Sequence, residues 1–551
     1  MKKTTLILGF IILLHLTFVI LSADQLYYGD EVVFLTAAKE IASGQISGSF
    51  GYEEGVLIKD KSIMLYHPPT YIYLLSLIIF LFGESTYSVR IVSLLFSIGS
   101  IILVYLTSKK LLEKKELENI KYWSLFAAFL YAINPVTIQN IILIEINGGL
   151  LNFALLLFIY LYISGKPFKY LIPSLFLIFA SKLTGITILF VTLIITNILT
   201  KNFKELFRVI KLHIITGILF SLIFIIYVKI FDLNFYYLFF HNSFLGVLQN
   251  FLTNPSAILR SLWAFRTFFY FTTPFFVFLF ILISFKIIIN VLTKKEYVSQ
   301  NKGAILLFLY SLVILAFNLM LGQSAMNFVK YYSIIIAPIT ILLIYFTPKK
   351  IRNFKKIVLP LFFTSLLILS YFIIFLHDPL IPEVQGRVNT LDIIEVIKLV
   401  LIRSTLYAII PLFLCFILFN RIPKKKLWLI LIFLFILTSI YLNILHTRAD
   451  YSTHNMYGDR GLEDTISYLK DKPPENVLCY IHLCYFLDYK KSLELTTLFR
   501  DMDKLDKSIT ERNIQYMVIY KKDFDILPEN ILKKFNIEKQ IEDYIILKRT
   551  T

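Results

Sequence analysis

Long apolar runs separated by short clusters of lysine and arginine constrain this chain more than anything else in it. A membrane-spanning helix needs about 17–25 mostly apolar residues. Runs of that kind occur at 5–22, 88–108, 122–143, 147–164, 170–181, 183–199, 212–232, 267–290, 303–322, 331–346, 357–376, 398–419 and 427–446. A chain of 551 residues would otherwise be read as several soluble domains. Hydrophobic residues make up 57%, charged residues only 17%, and mean hydropathy is +0.73, so most of the mass cannot face water. The expected class is an all-α polytopic membrane protein with about 13 transmembrane helices.

The net charge of +18 does not point to nucleic acid. The basic residues lie between the apolar runs, where they set orientation and meet lipid headgroups. Lys2-Lys3, Lys109 to Lys121, Lys166 to Lys169, Lys201 to Lys211, Lys294 to Lys302, Lys349 to Lys356 and Arg421 to Lys426 all fall on the cytoplasmic side under one condition. The apolar run Tyr71 to Phe82 must not cross, and at about 12 residues it is too short to do so. The first run reads as an uncleaved span, with Ser22-Ala23-Asp24 a weak alternative cleavage site. The expected layout is a multi-pass protein of the plasma or inner membrane, with its N-terminus cytoplasmic and its C-terminus outside.

Residues 170–199 are too long for one span and short for two. Lys182 sits near their middle, which predicts two short helices meeting there. Four pieces fall on the outer face: 23–87, the aromatic loop from Phe231 to Ala264, Asp378 to Glu395, and the polar tail 447–551. The expected domains are a transmembrane unit, 1–446, and an extracytoplasmic α/β domain, 447–551. In the tail we expect helices at 461–470, 502–512 and 528–535 and strands at 477–481, 514–520 and 544–548. Cys415 falls in a span, while Cys479 and Cys484 are a disulfide or two thiols.

The residues able to carry chemistry gather on that outer side. Asp30 and Glu31 open a predicted helix, 30–44, with Val33, Phe34, Ala37, Ala38 and Ile41 on one face and Gly44 at its end. Acidic residues in a first turn also simply suit the helix dipole. His67-Pro68-Pro69 precedes the non-crossing run, where prolines suit a helix start. Arg90 enters the next span and could snorkel. Glu145 and Asn147 lie at an outer junction of two spans. Lys182 is harder to dismiss, since a lysine at mid-helix costs about 2.5–3.5 kcal/mol on insertion scales and marks function by default. Lys330 is a similar outer-edge cation, and His241 sits in the aromatic loop. A lipid-linked phosphate needs cations at headgroup level, and a nearby acid can take a proton from an attacking hydroxyl.

These motifs resemble a known superfamily. Gly29-Asp30-Glu31-Val32-Val33-Phe34 to Gly44 is similar to the DE-motif helix of the polyprenyl-phosphate-sugar-dependent glycosyltransferases of the GT-C fold, in the branch of the protein O-mannosyltransferases and lipid A aminoarabinose transferases. Tyr66-His67-Pro68-Pro69-Thr70-Tyr71 is similar to that family's His/Lys-Pro-Pro segment. Leu81-Phe82-Gly83 to Arg90 resembles its following stretch, Ser181-Lys182-Leu183-Thr184-Gly185 its Lys-containing break, and Lys330-Tyr331-Tyr332 to Pro338 a later basic-Tyr-Pro segment. The family's second acidic position falls on Glu145 or Asn147, and we assign Glu145.

The resemblance implies an inverting membrane glycosyltransferase. Its partners are a polyprenyl-phosphate-linked sugar donor, a lipid, glycan or protein acceptor, and membrane lipids. Asp30, Glu31 and Glu145 are the implied catalytic carboxylates. His67, Arg90, Lys182, Lys330 and His241 are the implied phosphate-binding groups. No obligatory cofactor or structural metal is expected, and a divalent metal ion between Asp30 and the phosphate stays open. The rival readings are a transporter or lipid flippase, whose broken helices and intramembrane charges are similar, and a membrane scaffold. The orientation makes one prediction: protease added from outside intact cells cleaves within 447–551. Full protection of that segment reverses the assignment.

Overall fold

The computed structural model describes residues 2–23, 30–44, 52–53, 56–57, 63–64, 67–115, 119–231, 233–234, 272–294, 296–321, 329–347, 424–447, 461–470, 477–486, 492–494, 502–511, 513–525 and 527–550. The expected spans 357–376 and 398–419, Cys415, the loop 378–395 and nearly all of the aromatic loop, His241 included, lie outside these residues.

Helix α1 runs from Lys2 to Leu21 and α2 from Asp30 to Ala42, followed by Gly44 at a φ of +93°. The expected apolar face of α2 is too narrow. Val32 and Leu35 are buried as well as Phe34, Ala37 and Ala38, while Ile41 is half-buried. Helix α3 spans Thr70–Phe82 behind Pro68-Pro69 and stops at Gly83, whose φ of +73° favours glycine. Its 13 residues rise about 20 Å, against a hydrocarbon core of about 30 Å.

A short 3-10 turn, Ser88–Arg90, leads into α4, Ile91–Glu113. Then follow α5, Ile120–Ala132; α6, Pro135–Ile142; a π turn, Asn147–Leu151, opening α7, Asn152–Ile163; α8, Phe168–Ser181; α9, Leu183–Leu199; and α10, Phe203–Phe231. Beyond lie α11, Pro274–Thr293; α12, Lys302–Leu321; α13, Ser333–Phe346; and α14, Lys424–His446. By length and composition five described helices are fit to cross a membrane, or six if the bent pair α5 and α6 is one span. Six shorter apolar helices accompany them. This is a multi-pass membrane protein.

Helix α10 shows how these helices divide their surfaces. Leu212, Thr216, Phe220 and Phe224 are buried at intervals of four residues, and Ile214, Ile218, Leu222 and Ile226 are exposed at the same interval. Two apolar stripes, one packed on protein and one open, suit a helix with lipid on one side.

The expected single span 122–143 breaks into α5 and α6, bent by 54°. Pro135 supplies no N–H and begins α6, and the Asn134 side chain caps it by accepting from Val136 N at 3.0 Å. Thr137 N bonds Asn134 O instead of Ile133 O. The break therefore frees the carbonyls of Ala132 and Ile133 inside an apolar bundle. His15 Nδ1 of α1 meets Ala132 O at 2.7 Å, while its Nε2 lies 2.9 Å from the Ser97 hydroxyl. A carbonyl only accepts, so Nδ1 carries the proton and Nε2 accepts from Ser97. Asn443 Nδ2 of α14 donates to Ile133 O at 2.8 Å.

The tail holds a five-stranded sheet: β5, Val477–Cys479; β6, Ser492–Glu494; β7, Tyr516–Tyr520; β8, Phe535–Ile541; and β9, Tyr544–Arg549. We keep β1 to β4 for the pairs Tyr52–Glu53, Val56–Leu57, Ile63–Met64 and Leu233–Asn234 nearer the N-terminus. The order is β6-β5-β7-β9-β8, with β5 parallel to β6 and β7 and the other pairs antiparallel. Five described helices accompany the sheet: α15, Leu462–Lys470; α16, Ile481–Phe486; α17, Met502–Glu511; the four-residue Lys521–Phe524; and the four-residue Glu529–Leu532 where a longer helix is expected. The sheet has its own core, with Leu478, Met517, Val518, Ile519 and Ile546 buried. Cys479 is disulfide-bonded.

The broken helix generates a stability prediction. Replacing His15 or Asn443 by leucine orphans a buried carbonyl, at a cost of about 1–3 kcal/mol each. Thermal unfolding of the purified protein in detergent measures this, and unchanged midpoints for both variants would contradict it.

Candidate active site

The segment between α6 and the π turn, Leu143 to Ile146, is the centre of the site. Two backbone features hold it. Gly148 lies so close to α6 that an added Cβ would sit 2.3 Å from Asn140 Cβ and 2.5 Å from its carbonyl oxygen, and a Cβ on Gly149 would press on Ser93 at 3.1 Å. Side chains grip it from the other side. Glu31 Oε1 accepts from Ile144 N at 2.8 Å, tying α2 to the segment across 113 residues. Arg90 donates from Nε to Ile142 O at 2.7 Å and from Nη1 to Thr86 O at 2.5 Å.

Glu145 projects from this segment and is buried. Lys330 Nζ lies 2.9 Å from its Oε1, and the two side chains are only 11% and 4% exposed. Its Oε2 accepts from Asn147 N at 3.3 Å and from Asn147 Nδ2 at 3.0 Å. The other end of the Asn147 amide, Oδ1, accepts from Lys182 Nζ at 3.1 Å. A single chain of contacts therefore runs from Lys330 through Glu145 and Asn147 to Lys182. The Tyr331 ring closes the group, with each lysine Nζ 5.4 Å from its centre.

Lys182 occupies the break the sequence predicts. It ends α8 and starts α9 with extended backbone, φ −160° and ψ 127°. Lys330 lies in a 3-10 turn, Val329–Tyr332, that leads into α13. Tyr71 of α3 is fully buried, shares a hydrogen bond of 2.9 Å with the Ser93 hydroxyl, and stands within electrostatic reach of Glu145, Glu31 and Arg90. His67 is half-buried, its ring 6.3 Å from that of Phe34 on α2. Asp30 opens α2, but its side chain lies outside the described residues.

The structure thus brings Glu145, Asn147, Lys182 and Lys330 into one group and ties Glu31 and Arg90 to its backbone. Glu31, Arg90, Glu145, Lys182 and Lys330 are all buried, and buried charges need partners. Sequence reasoning passed over Tyr71, Ser93 and Tyr331, whose parts depend on contacts across helices. Among the described residues, no three His, Cys, Asp or Glu side chains are grouped to hold a metal ion.

Residues 66–230 match the family model described as dolichyl-phosphate-mannose-protein mannosyltransferase. That stretch holds His67, Arg90, Glu145 and Lys182. Among solved structures, ArnT from Cupriavidus metallidurans bound to undecaprenyl phosphate aligns over 98% of this chain and 98% of its own, with a TM-score of 0.55 and 11% identity. The apo state of ArnT from the same organism aligns over 98% and 97%, with the same TM-score and identity. The fold is GT-C. The resemblance read from the first loop therefore extends to the architecture of the whole GT-C chain. No curated protein matches by sequence.

The buried pair makes a second stability prediction. Lys330→Met strands the Glu145 carboxylate and destabilises the protein by about 3–5 kcal/mol, and adding Glu145→Gln recovers most of that loss. Unfolding of the single and double variants in one detergent decides it; equal losses in both would sink the pairing.

Proposed function

We infer that the chain is an integral membrane glycosyltransferase that moves a sugar from a polyprenyl-phosphate carrier to an acceptor. The observation that carries this reading is the Lys330–Glu145–Asn147–Lys182 chain inside a GT-C fold, within or beside the stretch that matches the mannosyltransferase model. The undecaprenyl phosphate held by the ArnT structure supports a polyprenyl phosphate as the carrier here. No observation favours the transporter alternative.

In the proposed reaction the acceptor hydroxyl attacks the anomeric carbon as the bond to the phosphate oxygen breaks, with inversion. Its proton passes to Asp30, and the electron pair leaves on the polyprenyl phosphate. Lys182 and Lys330 are the cations we assign to the departing phosphate, where preorganised charge in a dry site is worth most. Phosphate oxygens can accept the hydrogen bonds that the two ammonium groups now give to Asn147 and Glu145. Glu145 holds these cations in place between turnovers. Arg90 is bound to two backbone carbonyls and Glu31 to one amide, so both shape the wall of the site. His67 and His241 remain candidates for the donor headgroup. A hexose or pentose is the proposed cargo.

We further propose that the reaction takes place on the outer face of the cell membrane, with 447–551 an extracytoplasmic domain. Asp30→Asn is expected to insert normally and lower transfer by about 10²–10⁴-fold. Lys182→Ala and Glu145→Gln should also impair it. Mass spectrometry of envelope glycans and lipids in a deletion strain, complemented by each variant, identifies the product and reads the loss. Full product with all three variants rejects the site.

A further inference from the structure

The tail domain touches the transmembrane unit at a defined point. Lys39, near the C-terminal end of α2, forms an ion pair of 2.7 Å with Glu84 in the link between α3 and α4. The Tyr485 hydroxyl of α16 donates to the same glutamate at its other oxygen, Oε1. The Lys39 ammonium also lies over the Tyr485 ring, 5.0 Å from its centre. Two segments of the first loop region and a third some 401 residues further on share one three-part knot. Beside it, Phe486 packs against both the core of the transmembrane unit and the core of the tail sheet.

The helix held by this knot is the one that carries Asp30 and Glu31 at its other end. Helix α2 is short, 13 residues. Its far end is tied by Glu31 to Ile144 N. Its near end is tied by Lys39 to Glu84 and Tyr485. A rigid rod pinned near both ends transmits a displacement from Lys39 to Glu31, about 12 Å away along the helix.

We propose that Tyr485 is a positioning residue through which the tail domain sets the placement of α2, and with it the carboxylates at the reactive end. The proposal rests on the glycosyltransferase reading only for its consequence on transfer; the mechanical coupling stands independently of it. The tail then acts on the reaction through α2, whereas Lys182 and Lys330 sit on other elements.

Hydrogen exchange of the full-length protein in detergent tests this without any substrate. Tyr485→Ala and Lys39→Ala should each speed exchange of amides in 30–42 by roughly tenfold, while α8, α9 and α13 keep their protection. Tyr485→Phe keeps the ring over Lys39 and loses only the bond to Glu84, so it should give a smaller change. Lys39→Arg retains the charge and should restore protection. Binding of undecaprenyl phosphate, followed by its effect on thermal unfolding, should match the parent in every variant. If Tyr485→Ala unsettles the whole chain, Tyr485→Phe and Lys39→Ala must still loosen 30–42 selectively for the proposal to stand. Unchanged exchange in 30–42 for Lys39→Ala and Tyr485→Phe overturns it, as does an equal loss across the cation-bearing helices. Loss of undecaprenyl phosphate binding by the parent protein would instead strike at the carrier assignment and leave the coupling intact.

Discussion

A helix that breaks inside an apolar bundle must find new partners for every carbonyl it frees. Here the break falls at Asn134-Pro135, and the debt is settled by His15 from α1 and Asn443 from α14. Helices far apart in sequence thus meet at one bend because backbone chemistry requires it. The bend in turn sends α6 at an angle to α5 and brings its end, with Leu143 to Ile146, against α2 and α4. Glu31, Arg90 and the two glycines then fix a stretch of non-helical backbone that could not stand exposed to lipid. Glu145 inherits its position from all of these.

The charges of the site obey the same logic. Five ionisable side chains are buried in and around this one place, which is costly unless each finds a complement. Glu145 meets a lysine and an amide, Arg90 meets two carbonyls, and Glu31 meets a backbone N–H. What remains is a group of cations with polar partners that an incoming phosphate can replace. Such a group suits stabilisation of a leaving anion better than proton abstraction, which is why the proposed reaction assigns the acceptor's proton to Asp30 instead.

Much of this was legible in the sequence for physical reasons. Lys182 announced its helix break because a lysine amid a 30-residue apolar run has no other cheap placement. The short run 70–82 declared itself by length and by the prolines before it. Other features left weaker traces. The Asn134-Pro135 break carries a recognisable cap and first-turn proline, but averaging hydropathy across 122–143 hides it. Positions 30 and 31 are neighbours in sequence yet lie about 100° apart around a helix, so adjacency alone does not give the two carboxylates one role. Strand β8 escaped because only Phe535 and Ile541 at its ends are buried, and its turn places Glu542 at a φ of +45° without the usual glycine. The knot of Lys39, Glu84 and Tyr485 has no local signature whatever.

The Asn147 amide has a consequence of its own. It donates toward a carboxylate and accepts from an ammonium, so its dipole lies along the line between opposite charges. An amide can face both neighbours in this way, whereas an ionised aspartate could not donate to Glu145 and a leucine could serve neither. The side chain is therefore polarised in one sense, and flipping it would set donor against donor and acceptor against acceptor. Any anion that draws Lys182 away leaves an amide oxygen uncovered, and the change is felt at Glu145 and then at Lys330. Two cations on separate elements are thereby made to answer to a ligand together, through a group that carries no net charge.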